Sequence, residues 1–141
     1  MESLKEFVEY GVVGLLLGLS IWAIGVTVER WLFYRRVNAQ QFPTLELFEA
    51  TLTRRLVVIG TVAANAPYIG LLGTVLGIIL TFHTMGTSGS LGVTSIMIGL
   101  SLALKATAAG LLVAIPCVVM NNVLRRRVIE LLAQYKARNG L

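Results

Sequence analysis

The sequence predicts an all-α integral membrane protein of three transmembrane helices, with its N-terminus outside and its C-terminus in the cytoplasm. Composition is the first observation behind this: 56% of the 141 residues are hydrophobic and only 13% charged, and a mean hydropathy of +0.80 lies beyond the ordinary globular range. The second is length, because residues 11–28, 56–84 and 94–120 are apolar runs near or above the ~20 residues that cross a bilayer. The third is the placing of the basic residues. Arg30, Arg35, Arg36, Arg54, Arg55, Arg125, Arg126, Arg127, Lys136 and Arg138 flank the runs on one side, and Lys5 stands alone on the other. Loops rich in Lys and Arg stay in the cytoplasm, which fixes the orientation.

Residues 1–10 carry Glu2, Glu6 and Glu9 against Lys5, the wrong flank for a cleavable secretory signal. They form the outer N-terminus, and the first span, residues 11–28, is retained. Its end is marked by Glu29 and Arg30, then by Trp31, Phe33 and Tyr34, an aromatic belt at headgroup level. Residues 29–55 are a cytoplasmic segment. Within it Pro43 breaks any helix and Thr44 is placed to cap a new one that begins Leu45, Leu47, Phe48, so a short helical hairpin is expected. The second span, residues 56–84, is longer than a membrane requires and contains Pro67. Residues 85–93, with Thr87-Ser88-Gly89-Ser90, read as an outer turn. The third span, residues 94–120, contains Pro116 and Cys117. Residues 121–141 become basic while Leu124, Val128, Leu131 and Tyr135 keep a helical apolar period, so the third helix is expected to continue as an amphipathic extension.

The two long spans carry stripes of small residues. Gly70, Gly73, Thr74, Gly77 and Thr81 recur three or four apart, as do Gly99, Ala103, Ala106, Thr107, Gly110 and Ala114, so each set lies on one helix face. Glycine costs a helix ~1 kcal/mol relative to alanine, and close approach of helices in lipid offsets that cost. The second stripe either packs against the first or lines a shared cavity with it. Two such stripes on adjacent helices hold more close-packing surface than one subunit uses, which predicts an oligomer. Pro67 and Pro116 are expected to bend their helices.

The run Ala66-Pro67, Gly70-Leu71-Leu72-Gly73-Thr74-Val75 and Gly77, joined downstream by Ala103-Leu104, Thr107-Ala108, Gly110-Leu111 and Ala114-Ile115-Pro116, resembles the MotA/TolQ/ExbB proton-channel family. Its ExbB branch is nearest in pattern. A weaker echo lies in Trp22 to Arg30, similar to the end of that family's first span. The resemblance implies a homo-pentameric ring in the bacterial inner membrane. That ring would surround an ExbD-like partner with a single transmembrane helix and an intramembrane Asp, and proton flow through the Asp would drive motion that reaches TonB. It implies that Thr74 and Thr107 line the proton pathway. The plain alternative for either threonine is a hydroxyl bonded to the carbonyl one turn earlier. A TolQ-like role in envelope maintenance, a flagellar-stator role, a small transporter and a structural scaffold are the competing readings. Stators usually have four spans, and a transporter would carry an internal repeat or a charged substrate site.

One departure from the pattern concerns charge. Where ExbB and TolQ carry a glutamate five residues before the second threonine, this chain has Leu102, and Lys105 follows three residues later. Lys105 and Thr107 are about 160° apart on a helix, so they face different surfaces. Lys105 either snorkels to the outer interface or pairs with an acid from another chain, because no span here holds a carboxylate. His83 reads as an interfacial residue at the outer end of the second span. Cys117 is the only cysteine and reads as a packing residue. No nucleophile with a base, metal-ligand cluster or phosphate loop is present, so neither enzyme chemistry nor a cofactor or metal is expected. The basic residues are spread over segment ends rather than gathered in one patch, which argues against nucleic acid and leaves membrane lipid as the surrounding partner.

Overall fold

The computed structural model describes residues 2–88 and 92–141. It is helical throughout: α1 (Glu2–Arg36), a 3-10 turn (Ala39–Gln41), α2 (Leu45–Leu52), α3 (Leu56–Ser88) and α4 (Val93–Arg138). Among the described residues α1, α3 and α4 are long and apolar enough to cross a membrane. Their 35, 33 and 46 residues correspond to about 50, 50 and 70 Å at 1.5 Å per residue, against a hydrocarbon layer of ~30 Å. Each helix therefore overruns the bilayer, α4 by more than its thickness.

The first helix begins at Glu2, well before the apolar run from residue 11, because the residues before Gly11 are good helix formers and their carboxylates suit the positive N-terminal end of a helix. The expected hairpin between the first two spans is a single turn followed by one eight-residue helix. Pro43 has no N–H to donate, and the Thr44 hydroxyl accepts from the Leu47 N–H at 3.2 Å to start α2. At the far end of α3, Thr87 and Ser88 are helical rather than part of a turn, with the Thr87 hydroxyl donating to the His83 carbonyl at 3.1 Å. The expected turn residues Gly89 and Ser90 lie outside the described residues. Pro67 and Pro116 sit inside continuous helices, where each frees the carbonyl four residues earlier.

The bundle packs in two ways along its length. Toward the N-terminal end of α4, α3 and α4 meet through glycine and alanine. Toward its C-terminal end, Tyr34, Phe48, Leu52, Leu56, Ile59, Leu124, Val128, Leu131 and Tyr135 form a core of large side chains. Phe48 and Tyr135 meet with ring centroids 5.2 Å apart. A core of this kind is what water drives, and it forms where the helices run past the membrane's thickness. Smaller clusters, Ala23 with Val62 and Cys117, and Leu16 with Ala66 and Ala114, fasten α1 to the other two helices.

A corner holds α1 against the end of α2, just before the chain enters α3. Arg30, 5% exposed, forms two bonds of 2.6 Å to the Glu29 carboxylate, donates to the Thr51 carbonyl at 2.9 Å and lies 4.5 Å from the Phe33 ring centroid. The Tyr34 hydroxyl donates to the Leu52 carbonyl. The chain then turns through Arg55, whose φ of 69° is left-handed, and enters α3.

Candidate functional site

The α3–α4 seam is set by glycine. A Cβ on Gly70 would lie 2.7 Å from the Ala106 carbonyl oxygen, one on Gly77 2.8 Å from the Ala103 Cβ, and one on Gly110 2.6 Å from the Ala66 carbonyl oxygen. Gly73 and Gly99 are as tight, against Ala106 at 2.7 Å and the Thr81 hydroxyl at 2.6 Å. The two small-residue stripes thus consume one another inside the subunit. Where glycine meets backbone in this way, the face is closed to a further helix.

That close approach brings Thr74 and Thr107 together, and their hydroxyls hydrogen-bond to each other. The Thr74 hydroxyl also lies 2.8 Å from the Ala103 carbonyl oxygen and 3.4 Å from that of Gly70. Thr74 is buried, whereas Thr107 keeps part of its surface exposed. The bond to Ala103 crosses to the neighbouring helix, so Thr74 does more than satisfy its own helix. A cavity of about 30 Å³, the room one water takes, adjoins the seam between Gly73, Gly77, Thr81, Ala103 and Ala106, with Lys5 and Glu9 of α1 also lining it.

Each hydroxyl has one proton to give, which limits the pair to two patterns. With Thr74 donating to Ala103, Thr107 must donate to Thr74, and the Thr107 oxygen then presents lone pairs to its exposed side. With Thr74 donating to Thr107, the Thr107 proton points outward instead. Two rotations exchange an outward acceptor for an outward donor.

Lys105 is exposed on the opposite face of α4, beside a shallow apolar trough of Met97, Leu100, Ser101, Leu104 and Ala108. No acid pairs with it among the described residues. His83 is exposed near the C-terminal end of α3, and Cys117 is buried. No group of three or more His, Cys, Asp or Glu that could hold a metal occurs among the described residues.

Sequence reasoning missed the corner around Arg30. The residue counted there only as a marker of orientation, although it is among the most buried polar groups. Its sole signal was adjacency to Glu29, and neighbours in sequence do not ordinarily face each other on a helix. The hydroxyls of Tyr34 and Tyr135, which tie to the Leu52 and Phe42 carbonyls, left no trace beyond an aromatic at the right period.

Comparison with known proteins gives concordant matches. The model of the MotA/TolQ/ExbB proton channel family matches residues 37–137. The chain is 49% identical over 140 residues to the biopolymer transport protein ExbB of Aquifex aeolicus, covering 99% of this chain and 95% of that one. It is 43% identical over 127 residues to the ExbB of Helicobacter pylori, covering 90% and 88%. With the ExbB of Neisseria meningitidis the identity is 44% over 68 residues, 48% of this chain and 31% of that longer protein.

Proposed function

Because the chain belongs to the MotA/TolQ/ExbB proton channel family, we propose that it is the channel-forming subunit of an ExbB/ExbD-type motor in the bacterial inner membrane, energising TonB-dependent uptake with the proton motive force. Its spans are residues 11–28, 56–84 and 94–120, with the N-terminus and residues 85–93 in the periplasm and residues 29–55 and 121–141 in the cytoplasm. The observation that carries the reading is the Thr74–Thr107 pair at a seam that glycine alone permits.

The spans contain no carboxylate, so the proton must ride on an acid supplied by a second chain. An ExbD-like aspartate fits that need. A carboxylate asks for a donor when ionised and offers a proton when neutral, and the two hydroxyl patterns meet both states without moving a heavy atom. Thr107 faces the partner, and Thr74 behind it sets which way the Thr107 hydroxyl points. Proton relay needs no bond made to carbon, and no enzyme chemistry is part of this reading.

A ring of subunits, taken as a pentamer, supplies the enclosure. Its contacts come from faces other than the small-residue stripes. Only 17%, 22% and 28% of the most apolar windows of α1, α3 and α4 are buried within the chain, and side chains such as Ile21, Tyr68, Leu112 and Ile115 remain exposed to lipid or to neighbouring subunits.

The test is energised uptake in cells carrying Thr74→Val, Thr107→Val and both. Valine keeps the shape and removes the proton. Each single change is expected to lower uptake, and the double change to abolish it at unchanged complex levels. Wild-type uptake in the double variant would sink the proposal and leave the pair as packing residues, which is also the outcome a scaffold requires.

A further inference from the structure

The basic end of the bundle holds a cavity the channel reading does not use. It measures about 270 Å³ and lies between the end of α1, the turn after it and the last turns of α4. Arg35, Arg127 and Arg138 line it together with Asn38 and Gln134, and no Asp or Glu does. An opening of this size suits a small polar group rather than a folded partner or a drug-sized ligand.

The side chains around it are only partly committed. Arg35 lies 4.9 Å from the Trp31 ring centroid, and Arg127 reaches Glu130 at 3.3 Å outside the cavity. The Asn38 side-chain oxygen accepts from the Gln40 N–H at 3.0 Å, which leaves its amide hydrogens as donors. The Tyr34 and Tyr135 hydroxyls are turned to backbone carbonyls and frame the walls. The negative ends of the α1 and α4 dipoles, worth about half a charge each, together offset about one of the three guanidinium charges. What the lining offers is planar N–H donors and positive charge, the recognition chemistry of phosphate.

One wall of the cleft lies near headgroup level and the other reaches about 27 Å past residue 120 along α4, so a lipid headgroup and a free phosphate ester both have access. Trp31, 48% exposed, is the kind of residue that sits at the interface, and Arg35 is one turn, about 5 Å, beyond it. Basic pockets between helices at this level take anionic headgroups. We propose that this cleft binds a phosphate group, presented by an anionic lipid headgroup or by a free phosphate ester. The site stands whether or not the threonine pair carries protons.

The test uses the full chain, purified and reconstituted in vesicles of equal phosphatidylglycerol and phosphatidylcholine, with retained lipid read by native mass spectrometry. Melting is measured in parallel with inorganic phosphate against chloride at matched ionic strength. The wild type is expected to prefer phosphatidylglycerol roughly thirtyfold, from about 1 kcal/mol for each of the two arginines nearest the surface, Arg35 and Arg127. Arg127→Gln with Arg138→Gln should bring that preference near parity, while Arg36→Gln with Arg54→Gln, exposed and outside the cleft, should keep it. Gln134→Glu, which leaves every arginine in place, should also weaken binding and guards against a folding defect in the double variant. Protection by inorganic phosphate that the cleft variants lose, without a lipid preference, assigns the site to a free phosphate ester. Equal loss in cleft and control variants, or no preference and no protection in the wild type, overturns the proposal.

Discussion

Gly110→Ala sets two known effects against each other at one position. Alanine is the better helix former by up to about 1 kcal/mol, and at a glycine with open space the change should be neutral or mildly stabilising. At Gly110 the new Cβ would meet the Ala66 carbonyl oxygen at 2.6 Å, the Gly70 Cα at 3.0 Å and the Gly70 nitrogen at 3.2 Å. The first is about 0.9 Å short of the best carbon contact distance. All three atoms are backbone, so no rotamer change relieves the overlap, and α3 and α4 must part. An overpacked interface costs about 1–3 kcal/mol. Parting by that distance would also stretch the 2.8 Å bond from Thr74 to Ala103 beyond hydrogen-bonding range, for about 1 kcal/mol more. The net expectation is a loss of about 2 kcal/mol. Gly25→Ala is the internal control, because its Cβ would find nothing within 4 Å. Reversible unfolding in detergent, followed by circular dichroism, compares the two. If Gly110→Ala were as stable as Gly25→Ala, the seam would be looser than argued, and the reason for the threonine contact would fail with it.

Three further expectations follow from other parts of the molecule. A reporter in the connection between α3 and α4 should read periplasmic and one after Arg138 cytoplasmic, and the reverse pattern would contradict the orientation that the basic residues set. Arg30→Gln removes the paired bonds to Glu29 and the bond to the Thr51 carbonyl and should cost about 2 kcal/mol, measured by the same unfolding assay; an unchanged midpoint would show that the corner adds nothing. Lys105→Met should leave stability unchanged, because that side chain is exposed and without an acid among the described residues. Comparing uptake in Lys105→Met and Lys105→Arg separates the two roles open to it, since only pairing with another chain's acid makes the first variant lose what the second keeps.

Much of the architecture was legible in the sequence because lipid imposes a simple code. A segment that crosses must be apolar and must satisfy its own backbone, so the three long helices stood out from length and charge alone. Helix ends were harder. Thr87 and Ser88 are helical although their polarity suggested a turn, since polar residues mark where lipid stops and not where hydrogen bonding does. Spacing placed Thr74 and Thr107 on small-residue faces, while their contact required the depth of the seam, a property of two helices at once. The arginine cleft was out of reach for the same reason: Arg127 and Arg138 share one face of α4, but Arg35 is far from both in the chain, and a sum of charges per segment reads all three as orientation.

A single unbroken helix, α4, carries Thr107 in its first third and Tyr135 close to its end. The two are separated by about 42 Å along the axis. If the shaft is stiff, a tilt of about 5° about Thr107 displaces Tyr135 by about 4 Å, roughly the rise of two to three residues. Such a stroke would be delivered to the aromatic contact with Phe48 and to the Phe42 carbonyl that Tyr135 holds. Pro116 lies between pivot and tip, where a missing backbone bond lowers the bending stiffness. Protonation beside Thr107 would then act on a lever whose tip lies well past the apolar part of α4 and whose compliance is set by one residue.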